Sequence, residues 1–180
     1  MKVRNGEIKD IIEVLQLEYQ IYPSQWHVTD KYVRDLLQQN NDVLRVLEVG
    51  QSIKGHYSFI PLEKEQYENV LNGELDEKNL TQWIMKYEQP KEVYLYWTTV
   101  MVDLDDPNRK QLAKCLLDDI PVYLKGLTEK GVTIKEIGGI FISIEGERLA
   151  NRFGLKLTNT IQYIDDREYP VYRGIISSNQ

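Results

Sequence analysis

The spacing of apolar positions changes several times along the chain, and each change marks an element. Residues 1–4 read as a short first strand. Between Glu7 and Tyr22, Ile8, Ile11, Ile12, Leu15 and Tyr19 recur at helical spacing. Pro23 ends that helix, because the residue before a proline is pushed out of the helical region. A second helix starts near Thr29 or Asp30, both good N-caps, and its apolar face is Val33, Leu36 and Leu37. Asn40 and Asn41 stop it. The period then drops to two: DVLRVLEV (42–49) and IKGHYSFI (53–60) read as a hairpin turning at Gly50. Pro61 opens a polar stretch to residue 90, which predicts one or two surface helices with Gly73 between them.

EVYLYWTTVMV (92–102) is the strongest strand signal, and its β-branched and aromatic content fits a central, well-buried position. A helical stripe follows: Leu112, Cys115, Leu116, Ile120, Tyr123, Leu124 and Leu127, with Pro121 expected to kink or interrupt it. VTIKEIGGIFISI (132–144) returns to strand, and EGERLANRFG (145–154) is a short helix stopped by Gly154. LKLTNTIQYI (155–164) and YPVYRGII (169–176) form a closing hairpin around the polar loop DDRE. The order is β, α, α, β, β, small α, β, α, β, α, β, β. The helix between the strands at 92–102 and 132–144 requires a crossover, hence a parallel pair. The expected class is α/β: a mixed, mostly antiparallel central sheet with helices on both faces. No Gly/Pro/Ser-rich linker divides residues 1–180, so one domain is expected.

Composition narrows the function. The chain has 180 residues, 42% hydrophobic and 28% charged, which is ordinary for a soluble globular domain. A net charge of −6 and a pI near 5.1 argue against a nucleic-acid partner. The single cysteine, Cys115, excludes an internal disulfide and reads as a buried structural thiol. No run approaches the length of a membrane span, and the charged start MKVRNGEIKDII is unlike a signal peptide, so a cytoplasmic location is expected. His27 and His56 are the only histidines; turn or surface positions are expected for both, and no metal site. No Ser-His-Asp order, P-loop, zinc spacing or dinucleotide fingerprint is present.

Candidate chemistry concentrates in DDPNRKQLAKCLL (105–117), where a strand gives way to a helix N-terminus. Unpaired helix donors and the helix dipole both favour anions there. Arg109, Lys110 and Lys114 are a local cluster of positive charge in an acidic chain. Cations at that end oppose the dipole, which a bound phosphate would resolve, as would the neighbouring Asp103, Asp105 and Asp106.

The element order resembles that of the GNAT acyltransferases (Gcn5-related N-acetyltransferases) over nearly the whole chain. That family's fourth strand runs into a Q/R-x-x-G-x-G/A loop. Here the matching residues are Asn108, Arg109, Lys110, Gln111, Leu112 and Ala113, followed by Lys114; Gln111 stands at the central glycine and Asn108 at the Gln/Arg. The resemblance implies acetyl-CoA as cofactor, its pyrophosphate on residues 108–114 and its pantetheine arm along Val100, Met101 and Val102. A later family segment, N-x-x-A-x-x-x-Y-x-x-x-G-F, falls on Ser143, Gly146, Ala150, Gly154 and Leu155. Ala150 replaces a tyrosine that often protonates the departing thiolate. Tyr96, on one strand face with Tyr94 and Thr98, is the candidate for proton transfer in its stead, with bulk water as the alternative. Tyr22, Trp26 and His27, within YPSQWHVTD (22–30), are candidates for an acceptor-pocket wall.

The implied function is transfer of an acetyl group from acetyl-CoA to a primary amine, of a small molecule or a protein, by direct attack. The alternative is a catalytically inactive GNAT-like domain that binds CoA or another ligand as a sensor or interaction module. The acidic run EKEQYENVLNGELDE (63–77) reads as a solvated surface, or as a rim attracting a cationic amine. The last two strands leave an edge that could pair in a homodimer.

Overall fold

The parallel pair demanded by the crossover is β4 (Glu92–Val102) and β5 (Thr133–Ile140), linked by α4 (Arg109–Glu129). The computed structural model describes residues 1–87, 92–162 and 166–175. Its other strands are β1 (Lys2–Asn5), β2 (Leu44–Val49), β3 (Ser52–Leu62), β6 (Lys156–Gln162) and β7 (Glu168–Gly174). All seven form one sheet in the order β1-β2-β3-β4-β5-β7-β6, antiparallel everywhere except at β4 and β5. The expected ends of the last two strands and of the polar stretch (residues 163–164, 176 and 88–90) lie outside the described residues, as does part of the DDRE loop.

Both faces of the sheet are covered, so its central strands are buried on both sides. α1 (Ile11–Ile21), α2 (Asp30–Gln39) and α3 (Lys64–Leu71) pack on Val46, Ile60, Leu62 and Tyr96. α4 and α5 (Ile144–Arg152) pack on Leu47, Tyr57, Phe59, Leu95 and Trp97. Adjacent β4 residues thus serve opposite cores, as strand alternation requires. Each fully buried Leu or Phe contributes about 1.5–3 kcal/mol relative to exposure. Two arginine clamps tie layers together. Arg173 on β7 donates to Glu68 of α3 at 2.6 and 2.8 Å and to Glu136 of β5 at 2.8 and 3.1 Å. Arg45 of β2 and the Tyr57 hydroxyl of β3 both donate to Asp119 of α4.

Several expectations hold in detail. Thr29 caps α2 by accepting from Tyr32 N, and β4 occupies the predicted 92–102. Gly50 and Gly154 have φ of +66° and +81°, a region that glycine enters without strain. Others are corrected. α1 is preceded by a 3-10 turn at Ile8–Asp10, which puts the stripe out of phase. Its buried face is Ile11, Val14, Leu15 and Leu17, while Ile8, Ile12 and Tyr19 are exposed. Pro61 does not open the polar stretch but lies inside β3, opposite Leu95. α4 runs unbroken through Pro121, because buried Ile120, Tyr123 and Leu124 anchor it on both sides of the missing N–H. His56 is fully buried rather than at a surface or turn, since its strand lies between β2 and β4. Cys115 is half-buried against the α4 core. Among the described residues no helix is long and apolar enough to cross a membrane.

Candidate functional site

The site begins where β4 and β5 part. Their pairing runs from Glu92↔Thr133 to Tyr96↔Gly138 and stops there. Beyond it β4 continues to Val102 against β3, while β5, whose other edge pairs with β7 from Ile137↔Gly174 onward, runs on beside β7 through Ile140↔Val171. Among the described residues, the edge of β4 facing β5 is therefore open from Trp97 onward. A cleft of about 620 Å³ lies at this opening, with Val100 and Met101 on one side and Ile142 and Ser143 on the other. Tyr22, Trp26 and Tyr169 close its outer wall, and Trp26 stands edge-on to Tyr169 with ring centroids 5.4 Å apart.

At the end of that open edge the chain reaches the N-terminus of α4. Asn108, Arg109, Lys110 and Gln111 are exposed, and Leu112 is buried. Asn108 is the N-cap residue, and Gln111 lies in the first helical turn with its N–H on Asn108 O at 2.8 Å. A glycine is not needed there, because ordinary helical backbone suits glutamine. The preceding loop is knitted by its own acids: Asp103 accepts from Asp105 N at 3.0 Å, and Asp106 accepts from Asn108 N at 2.8 Å. Lys54 pairs with Asp103 at 2.8 Å and Asp106 at 3.6 Å, and Lys114 pairs with Asp118 one turn along the helix. Of the basic cluster itself, Lys114 has this acidic partner, while Arg109 donates to the Leu104 carbonyl oxygen at 3.3 Å.

Inside the sheet's other face, beneath α1 and α2, lies a second and smaller cavity of about 70 Å³. A β-bulge makes its floor. β4 and β3 are in register as Ser58↔Thr99 and Phe59↔Trp97, so Thr98 has no opposite residue. The bulge resets the alternation, and Thr98 and Thr99 both reach the cavity. Tyr96 lines it as well and donates its hydroxyl to Glu77 Oε2 at 2.9 Å. Tyr22 and Thr99 share a hydroxyl hydrogen bond at 3.1 Å. Tyr22, Trp26 and Ile142 line both this cavity and the open cleft, so the two spaces adjoin.

Two carboxylates face the cavity: Glu18 from α1 and Glu77 from the 3-10 turn Glu77–Trp83. Burial pushes the Glu18 carboxyl up to about 7, helped by the negative charge of Glu77. Burial also pushes Glu77 up to about 7, against the lowering effect of the Tyr96 hydrogen bond. His56 faces the same space, and burial drives its imidazolium form down to about 4, so it is neutral. Neither carboxylate stood out among the acids of the sequence. Glu18 looks like any polar residue on an amphipathic helix. Glu77 ends an acidic run that read as solvated or as a rim, yet its carboxylate turns inward onto β4. The available signal was the apolar context of each, Leu17 beside Glu18 and Leu80 one turn after Glu77, and it is weak.

The remaining sequence candidates fall elsewhere. His27 Nε2 donates to the Tyr22 carbonyl oxygen at 2.8 Å, and its ring stacks on Tyr19 with centroids 4.3 Å apart, which fixes the connection between α1 and α2. It is not among the residues lining either space. Ala150 is fully buried on the inner face of α5. Ser143 caps α5 through Gly146 N at 3.0 Å and borders the cleft. No metal-binding group of three ligands occurs among the described residues.

No family model matches the sequence, and no curated protein matches it. Solved structures do match its shape. Ard1 from Thermoplasma volcanium superposes with a TM-score of 0.66 at 15% identity, covering 98% of this chain and 97% of that one. A GphF GNAT-like decarboxylase in complex with isobutyryl-CoA gives 0.66 at 12% identity, covering 98% and 100%. An aminoglycoside 6'-acetyltransferase type Ii gives 0.63 at 10% identity, covering 98% of each chain. At such identities the likeness speaks for architecture, and it extends over essentially the whole length. The parted parallel strands, the mixed sheet and the two helical layers are those of the GNAT acyltransferase fold, and this chain has that fold.

Proposed function

We propose that the chain is an acyl-CoA-dependent N-acyltransferase that acts on a primary amine by direct attack. The observation that carries this reading is the open edge of β4 leading into the N-terminus of α4. An extended, amide-bearing pantetheine arm can pair with an unpaired strand edge, and a pyrophosphate can lie at a helix start. Val100, Met101 and Val102 would hold the arm. Asn108 to Lys114 would face the phosphates, with Arg109, Lys110 and Lys114 supplying charge. The neighbour solved with isobutyryl-CoA supports a CoA-type ligand, and acetyl-CoA is the simplest acyl donor to test.

The acceptor would enter the inner cavity past Tyr22 and Trp26. Its nitrogen attacks the thioester carbonyl carbon, the C–S bond breaks, and the ammonium proton must leave. Glu77, poised near neutrality and held by Tyr96, suits that proton. The thiolate also needs a proton, and Ala150 cannot supply one. Tyr96 or water serves instead, and a loss of this kind costs about 10²–10⁴-fold in rate without abolishing reaction.

The buried Ala150 and the self-paired acidic loop favour a second reading, a domain of this fold that binds CoA or another ligand without turnover. Calorimetric titration with acetyl-CoA, and with CoA for comparison, tests the first step. Micromolar binding followed by amine-dependent thiol release supports transfer. Binding without release under a broad amine screen supports the second reading. Absence of binding at millimolar ligand overturns both.

A further inference from the structure

We propose that Glu18, Glu77 and His56 form an internal binding site for a short aliphatic diamine, held as a cation within the cavity under α1 and α2. As an acceptor site this rests on the transfer reading above; as a cation site it does not.

Among the described residues, the lining of the cavity contains two carboxylates and neither lysine nor arginine. Buried carboxylates without a cationic partner are costly, and an incoming ammonium would relieve that cost. An acidic pair could still be a cluster that tolerates its own burial. His56 argues otherwise. It is fully buried, faces the cavity, and neither ring nitrogen has a hydrogen-bond partner. A buried polar atom left unpaired is costly, so two on one ring call for an occupant. His56 Nε2 lies 3.9 Å from Glu18 Oε1, too far for a hydrogen bond but close enough for one ligand nitrogen to meet both.

Size and the apolar walls narrow the class. A space of about 70 Å³ corresponds to roughly five to seven water positions, which fits a four-carbon diamine and excludes a folded protein segment. Val14, Val33 and Leu36 offer surface to a methylene chain. Two carboxylates on different elements suit a nitrogen at each end of the ligand.

The protonation of the site follows from what faces each group. Glu18 meets His56 from β3, Tyr22 just past the end of its own helix, and the charge of Glu77. Glu77 meets Tyr96 from β4, with Asp76 and Lys78 beside it, and Tyr32 of α2 donates to its carbonyl at 3.0 Å. Lys78 reaches Gln25 O at 2.9 Å and is not part of the lining. At neutral pH the empty site retains protons that a bound dication would displace.

The test is calorimetry on the full chain with 1,4-diaminobutane and no acyl-CoA, in two buffers of different ionisation enthalpy at pH 7. Butane-1,4-diol and succinate are the controls. Binding of the diamine with net proton release, and at least about ten-fold weaker binding of both controls, is the expected result. Glu18→Gln and Glu77→Gln should each weaken the diamine about ten-fold or more and reduce the proton release. Either variant suffices if the other fails to fold. Equal binding of diol and diamine would mean a polar cavity filled by water, and would overturn the proposal. So would no diamine binding at millimolar ligand, or variants that bind as the parent does. Failure of acetyl-CoA to bind, with the diamine still bound, would remove the transfer reading and leave the cation site standing.

Discussion

The Tyr96 hydroxyl on the central strand donates to Glu77 Oε2 at 2.9 Å, joining β4 to a 3-10 turn nineteen positions earlier in the chain. Tyr96 is 2% exposed, so this bond is made away from bulk water. Removing the donor leaves Glu77 with less support for its charged form and raises its pKa further. Tyr96→Phe should therefore cost about 1.5–3 kcal/mol in urea unfolding at pH 8, where Glu77 is ionised, and less at pH 5. Under the transfer reading it should also lower turnover while leaving acetyl-CoA affinity nearly intact. Equal activity would clear Tyr96 of any part in proton transfer.

Much of the frame was legible in the sequence. β4, α2, α4 and α5 were readable because each has a strong period and a proper cap or stop, such as Thr29 and Gly154. The cleft could be anticipated only in outline, because the parting of β4 and β5 depends on which strand each pairs with past Tyr96. The inner cavity was not legible. His56 lies on a strand buried on both faces, where alternation no longer separates inside from outside, so its polarity suggested a surface. Glu18 and Glu77 meet through elements nearly sixty residues apart, and no local pattern records such a meeting. The bulge at Thr98 hid the rest, since it turns Thr98 and Thr99 to the same space against strict alternation.

The two carboxylates should make stability fall as pH rises. Their folded pKa, about 7, lies above the ordinary 4.5, so between these values the folded chain holds more protons than the unfolded one. Stability from this source is present below about 4.5 and lost as pH passes through about 7, by about 3 kcal/mol for each carboxylate. His56 works in the opposite direction. Its folded value of about 4 lies below 6.5, so it removes stability as pH falls through that window. Two groups outweigh one, and Tm should be higher at pH 5.5 than at pH 8. Glu18→Gln should raise Tm at pH 8 and flatten the profile. A profile rising with pH in the wild type would contradict this assignment.

Gly139 sits where β4 and β5 begin to part. A Cβ there would lie 2.8 Å from the carbonyl oxygen of Trp97, a backbone atom that cannot swing aside. Gly139→Ala should therefore force the strands apart and cost about 1–3 kcal/mol in denaturant unfolding. Gly126 has nothing within 4 Å of the equivalent position, so Gly126→Ala in α4 should be neutral or stabilising by up to about 1 kcal/mol. Equal effects of the two substitutions would show that the parting of the strands tolerates a side chain.

Charge around the start of α4 should set cofactor affinity with opposite signs on the two sides. Arg109 and Lys114 lie near the expected pyrophosphate, while Asp105 sits exposed in the loop before them. Exposed charges contribute modestly, of order 0.2–1 kcal/mol each, so a double reversal amounts to about ten-fold in affinity. Arg109→Glu with Lys114→Glu should weaken acetyl-CoA binding by about that factor or more, and raised salt should shrink the difference. Asp105→Asn should tighten binding slightly, because it removes one repulsive charge without touching the Asp103 and Asp106 side chains that brace the loop. Isothermal titration at two salt concentrations reads both effects. Unchanged affinity in the double variant would place the phosphates away from this helix end.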